Sequence, residues 1–231
     1  MPQPKKPAQA TRGKLTEVTI ALMPQGLRTP PTTTSLTAST AAKGATSITV
    51  TGVTSEIQAG QALLFIDATD DSQYLAIVST KAAASATSLT VLALGEAIPT
   101  GAVAQYPPRF MLRTSADLDT STDTAEVDSM DHNNKDFIPL GSSTEFSLEG
   151  MYTHYDPGRH TCLFASRNKL EIYWTRTYGP PNAKYSRGEV HSGFGLVTNV
   201  GEPNSNDDMV QCSVTIQVTE RLPDVLPTPI A

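Results

Sequence analysis

Met209-Val-Gln-Cys-Ser-Val-Thr-Ile-Gln-Val-Thr219 is the most regular stretch of the chain. Val210, Cys212, Val214, Ile216 and Val218 alternate with Gln211, Ser213, Thr215, Gln217 and Thr219. A period of two places every apolar side chain on one face and every polar one on the other, the mark of a strand with one buried and one wet face. The pattern recurs at Lys14 to Met23, where Val18, Ile20 and Leu22 alternate with Glu17, Thr19 and Ala21. It recurs again at Ser143 to Tyr152, where Phe146 and Leu148 share a face. Thr124 to Met130, Leu170 to Thr175 and Val190 to Val200 read as further strands, and Arg109 to Arg113 as a short apolar one. The chain is therefore read as mainly β.

One helix interrupts the strands. Asp156-Pro157 offers a side chain that accepts from the first free N–H groups, followed by proline at the first helical position. His160, Leu163, Phe164 and Arg167 then share a face, and Asn168 marks the end.

Between Pro30-Pro31 and Pro107-Pro108 the composition shifts. Residues 29–107 are rich in Ala, Thr and Ser and hold seven charged residues in 79 positions. Ala45-Thr-Ser-Ile-Thr-Val50 returns as Ala86-Thr-Ser-Leu-Thr-Val91, and Ile57 and Gly60 return as Ile98 and Gly101, always 41 residues later. Each copy reads as strand, turn and strand. Two copies are too few for a solenoid but can close a small two-fold barrel or sandwich. The organisation expected is an N-terminal arm (1–13), a main β domain (14–28 with 108–222), an inserted β module (29–107) and a C-terminal arm (223–231).

The chemistry-bearing residues form no catalytic pattern. There is no GxSxG, P-loop, GxGxxG or HExxH, and His132, His154, His160 and His191 lack ligand spacing. No enzyme, cofactor or metal is expected. Asp117-x-Asp119-x-Ser121-x-Asp123 resembles the start of a calcium loop. Thr122 stands where that loop needs glycine, and Asp128 where it needs a bidentate Glu, so the stretch reads as a polar loop. Cys162 and Cys212 read as buried thiols, with a disulfide between them left open.

Charge is distributed unevenly. The formal net charge of −6 disfavours a dedicated nucleic-acid binder. Residues 117–149 carry nine acids against Lys135 alone. Residues 159–188 carry Arg159, Arg167, Lys169, Arg176, Lys184 and Arg187 against Glu171 alone. Such segregation suits two regions that meet on neighbouring copies, or one that lines a functional surface. No run reaches the ~18 apolar residues of a membrane span, and residues 1–10 lack a signal-peptide core. Assembly in the cytosol, without a membrane, is expected.

Three stretches in order carry a resemblance: Thr124-Ala-Glu-Val-Asp-Ser-Met130, Lys135-Asp-Phe-Ile-Pro-Leu-Gly141 and Glu145-Phe-Ser-Leu-Glu-Gly150. With the helix at 156–168, Gly193-Phe-Gly-Leu-Val-Thr198 and the final long strand, they resemble the core of bacteriophage tail tube proteins. The likeness covers residues 109–222 and the first strand. It implies a β sandwich or barrel with one flanking helix, six copies of which form rings that stack into the conduit for genome ejection. It also implies a virion location, contacts with tape measure, terminator and baseplate proteins, a sheath protein if the tail contracts, and passage of DNA without specific binding. The module at 29–107 departs from the minimal pattern and is expected on the outside of the tube.

In that frame Ser143, Glu145, Ser147 and Glu149 are expected to face the lumen, with Glu126 and Asp128 as further candidates. Phe137 and Ile138, read as apolar residues in a polar loop from Asp128 to Gly141, are expected to contact a neighbouring subunit. Arg159, Arg167, Arg176, Lys184 and Arg187 are expected to do the same. The competing readings are another tail, baseplate or decoration protein, and a carbohydrate-binding adhesion module. The last would need exposed aromatics around Trp174, Tyr173 and Tyr178.

Overall fold

The computed structural model describes residues 16–24, 26, 28–110, 113–128, 135–151, 153–179, 188–201 and 211–226, with backbone alone for 16, 113, 114, 123–128, 135–141, 151 and 211. As expected, the described residues are mainly β, with two antiparallel sheets and a single helix. The main sheet contains β1 (Thr16–Leu22), β8 (Arg113–Asp128), β9 (Lys135–Met151), β10 (Glu171–Tyr178), β11 (Glu189–Val200) and β12 (Gln211–Arg221). Its order is β1-β10-β11-β12-β9-β8. The alternation of β12 has its expected consequence: Cys212, Val214 and Ile216 are buried, while Ser213, Thr215 and Gln217 between them are half-exposed. The buried side joins Val18, Ile20, Phe146, Leu148, Ile172 and Trp174 in one core, closed by Cys162 and Ala165 of the helix α1 (Pro157–Asn168). Both cysteines are free thiols, and burial pushes both up in pKa.

The helix begins and ends for local reasons. Asp156 is extended (φ −75°, ψ 105°), and its Oδ1 accepts the Arg159 N–H at 3.1 Å. Asn168 is the last helical residue, and Lys169 takes the left-handed position at φ 53°. Replacing the fully buried Asp156 by alanine is expected to lower stability by about 1–2 kcal/mol in urea unfolding. A loss below about 0.3 kcal/mol would show that the cap contributes nothing.

One sequence expectation needs correction here. The Asp117–Asp123 stretch is no loop: it lies within β8, paired residue by residue with β9. Of Arg109 to Arg113, read as a short apolar strand, residues 111 and 112 lie outside the described residues, and Arg113 opens β8. Pro108 to Phe110 pairs antiparallel with the outer edge of β1 around Thr19 and Arg109, with Ile20 N–H donating to Pro108 O at 3.1 Å and Phe110 N–H donating to Val18 O at 2.8 Å.

The β8–β9 pair runs from Arg113 opposite Gly150 to Asp128 opposite Lys135. β12 accompanies β9 only between Thr144 and Met151. Beyond Thr120 and Thr144 the β8–β9 pair is therefore two-stranded among the described residues, an arm of roughly 25 Å at ~3.4 Å per residue.

The second sheet contains β2 (Thr34–Ala38), β3 (Ser47–Thr51), β4 (Ala62–Ile66), β5 (Gln73–Ile77), β6 (Ser88–Thr90) and β7 (Val103–Tyr106), in the order β5-β4-β7-β2-β3-β6. A bridge between Val78 and Val91 brings its two ends together, so the sheet curls around Leu36, Ile48, Phe65 and Leu89. The 41-residue repeat is visible in the hydrogen bonding. Ala41 bridges Ile98, and Ile57 bridges Ala82. Gly44 N–H donates to Leu94 O, and Ser85 N–H to Val53 O. Each contact is its partner with the two repeats exchanged. Ser47 and Ser88, equivalent in the repeat, meet Oγ to Oγ at 2.8 Å.

A candidate interaction surface on the outer face of the main sheet

The strand period that buries Phe146 and Leu148 turns the intervening side chains of β9 outward. Ser143, Glu145 and Glu149 are exposed and Ser147 is half-exposed. Antiparallel register sets β8 and β12 beside them. Asp119 faces Glu145, which faces Gln217; Asp117 faces Ser147, which faces Thr215; Glu149 stands between Ser115 and Ser213. The result is a continuous face of hydroxyls and carboxylates. Ser121 and Ser143 share a hydrogen bond at 2.8 Å, and Ser147 Oγ donates to Glu145 Oε1 at 3.1 Å.

Two like charges directly opposite one another destabilise an antiparallel pair by a fraction of a kcal/mol. The Asp119–Glu145 pair is of this kind. Among the described residues, no cation forms an ion pair with Asp117, Asp119, Glu145 or Glu149. The face is therefore open to water and to whatever approaches it. Glu126 and Asp128 lie further along β8, opposite Phe137 and Lys135. Phe137 and Ile138 are thus strand residues on the two-stranded arm rather than loop residues.

The basic residues divide differently from their expected common role. Arg159 is 6% exposed on the inner side of α1, and Arg176 is 9% exposed, its guanidinium carbon 4.1 Å from the Tyr178 ring centroid. Burial pushes the Arg176 guanidinium down, while the charge of Asp117 acts the other way. Both side chains lie within the chain's own packing, which removes them from the set that could reach a neighbour. Arg167 is exposed on the last turn of α1. Lys184 and Arg187 lie outside the described residues. Trp174 is fully buried against Phe146, ring centroids 4.6 Å apart, and Tyr173 is 8% exposed. The stretch therefore offers no exposed tryptophan for stacking a sugar.

The two edges of the main sheet differ. β1 is covered at Val18 to Ile20 by residues 108–110, whereas β8 ends the sheet order with no partner on its outer side among the described residues. A long unpaired edge is a template for another strand. Acids at Asp117 and Asp119 discourage indiscriminate pairing but permit a complementary partner.

Sequence spacing also missed a cluster at the far end of the sheet. Glu189 and His191 alternate on β11, and Asp224, 33 positions beyond His191, comes back to them. Only strand register could have revealed it. No family model matches the chain, and no curated protein matches it.

Proposed function

We propose that this chain is the tube subunit of a long-tailed bacteriophage. Six copies join edge to edge into rings, the rings stack, and the acidic hydroxyl face of β8, β9 and β12 lines the bore. The observation that carries this reading is the unpaired carboxylate face lying beside an unpaired strand edge. A conduit for DNA must not hold its cargo. Basic groups would bind phosphates and release counterions, giving strong non-specific affinity. Carboxylates and small hydroxyls repel the backbone instead. The buried Trp174 weighs against a glycan-binding module. The curled module is assigned to the outside, since a 79-residue body has a radius of gyration of about 12 Å and six of them would obstruct a bore. Tape measure, terminator and baseplate proteins, and a sheath in a contractile tail, are the partners this role entails.

Negative-stain imaging and mass measurement of the purified protein test the proposal. Six-fold rings or tubes are expected at high concentration or on a trigger; a monomer under every condition would overturn it. Phe137→Asp, on the two-stranded arm, is expected to abolish assembly while leaving the monomer's thermal unfolding within about 2 °C of wild type. Normal tubes from this variant would remove the arm from the interface.

A further inference from the structure

The strand edges of this chain are not equally available to a second copy. From Val18 to Leu22 the chain itself takes the outward backbone groups of β1. Phe110 holds Val18 O, Pro108 holds Ile20 N–H, and Gln61 Oε1 accepts the Leu22 N–H at 2.8 Å. The second sheet closes on itself through the bridge between Val78 and Val91. β9 is free of β12 only over 135–143, where Pro139 and a register shift interrupt it. Among the described residues, β8 alone offers a long uninterrupted free edge, from Ser115 to Asp123. Two copies of β8 are poor partners for each other, since Asp117 and Asp119 of one would meet the same acids of the other.

The two faces of β8 define the strand that fits beside it. Asp117 and Asp119 are exposed on the outer face, while Ala116 and the half-buried Leu118 lie on the core face. A matching strand carries two bases two positions apart and an apolar residue on the opposite face. The segments outside the described residues can be compared on this pattern. Residues 202–210 carry three acids and no base, and 129–134 carry Asp131 and no Lys or Arg. Residues 227–231 hold two prolines in five positions, which suits no ladder. Lys184 and Arg187 are three apart, so a strand turns them to opposite faces. Residues 1–15 carry Lys5, Lys6, Arg12 and Lys14 and no acid. Within them 8–15 is free of proline and runs directly into β1. Strand period sets Arg12 and Lys14 on one face and Leu15 on the other.

We propose that residues 8–15 of a second copy add as a strand to the outer edge of β8, with Arg12 and Lys14 against Asp119 and Asp117. Every strand pair in the main sheet is antiparallel. In that register Lys14 stands opposite Asp117, Arg12 opposite Asp119, and Leu15 beside Ala116 on the core side. Main-chain bonds along the edge supply the attachment, and the two opposite-charge pairs fix its register. This contact deepens the ring reading and rests on it. β1 and β8 stand at opposite ends of the sheet order, so in a head-to-tail ring the segment preceding β1 in one copy arrives at β8 of the next. The pairs neutralise two carboxylates at the seam and leave Glu145 and Glu149 open.

Disulfide trapping between full-length chains tests the contact. Arg12→Cys and Asp119→Cys chains carrying different tags are mixed under mild oxidation; the native thiols of Cys162 and Cys212 are buried and do not compete. A mixed disulfide is expected, because residues directly opposite in an antiparallel pair stand within bridging distance, about 4.5–5.5 Å between Cα atoms. Arg12→Cys mixed with Thr69→Cys, exposed beside the other sheet, should give none. The absence of a mixed disulfide, an equal yield at Thr69, or an Arg12→Cys/Asp119→Cys chain that closes only within itself would overturn the proposal. Arg12→Glu with Lys14→Glu should raise the concentration needed for assembly about tenfold or more, without changing the thermal unfolding of the monomer. Rings that form as readily from this variant as from the wild type would remove the strand contact and keep the ring. A mixed disulfide in a protein that never forms rings would keep the contact and remove the ring.

Discussion

Gln61→Leu is expected to destabilise the whole chain by about 2–4 kcal/mol, although the replacement is apolar, of similar size and enters a buried site. Gln61 is fully buried at the start of β4, where the curled module meets the main domain. Its Oε1 accepts the Leu22 N–H at 2.8 Å, and its Nε2 donates to Thr161 Oγ1 at 2.9 Å and to Ala62 O at 3.2 Å. One amide therefore serves the edge strand β1, the helix α1 and its own module. Leucine would fill the volume but leave the Leu22 N–H without its acceptor, and each buried polar group deprived of its partner costs about 1–3 kcal/mol. The Thr161 hydroxyl keeps the Ala62 N–H at 3.3 Å, so the larger penalty falls at Leu22. Next to it, Gly60 (φ +88°) passes so close to Phe164 that a Cβ would stand 2.1 Å from Cε1 of the ring. Gly60→Val should be at least as damaging, through both the left-handed backbone and the clash. Guanidinium unfolding monitored by Trp174 and by far-ultraviolet dichroism reads the result. A Gln61→Leu protein within about 0.5 kcal/mol of wild type would show that the two bodies are joined by their linkers alone. Deletion of 29–107 with a short Gly/Ser bridge removes the same staple, so tubes from the shortened chain should form but melt earlier.

That staple was invisible in the sequence, where nothing sets Gln61 apart from its neighbours. What was legible followed from period and local chemistry. The alternation in β12, the Asp156-Pro157 helix start and the 41-residue repeat each declare themselves within a few residues, because strand faces and caps are local. What was illegible depended on partners far along the chain. Asp117, Asp119, Ser121 and Asp123 look like a loop, since such residues form strands poorly on their own; they are held by β9, whose paired residues lie well beyond them in the chain. Pro139 and Gly141 suggested a loop around Phe137 and Ile138. In the structure they flank a register shift, where Asp123 pairs with Gly141 but Thr124 with Pro139, and such irregularities are where a strand tolerates these residues. Arg159 was grouped with the surface bases by charge alone, yet it falls off the His160–Leu163–Phe164–Arg167 face and onto the buried one. For the proposed site, the outward row Ser143, Glu145, Ser147 and Glu149 was readable from alternation. Its extension by Asp117 and Asp119 needed the register.

The same register makes reversal of the acidic row the most revealing experiment on the proposed tube. Glu145→Lys with Glu149→Lys changes the outer face by about two dozen charge units per ring of six. The monomer should tolerate it. A lysine in place of Glu145 would face Asp119, replacing a like-charge pair with an opposite one. Both substituted positions are exposed, so stability is expected to stay level or rise by about a few tenths of a kcal/mol. Assembly should also survive, because neither side chain lies on the outer edge of β8 or on the two-stranded arm. Contact with DNA should change sharply. Wild-type tubes are expected to retain no short duplex at about 50 mM salt. Variant tubes should bind it with an affinity that falls by orders of magnitude between about 50 and 200 mM salt, the signature of released counterions. In an infectious particle the same substitutions should slow genome ejection without reducing the number of tails. Two results separate the modes of failure. Variant chains that no longer assemble would place Glu145 and Glu149 in ion pairs between subunits, which keeps the tube but moves the row away from the bore. Variant tubes that assemble normally and bind no more DNA than wild type would remove this face from the path of DNA altogether.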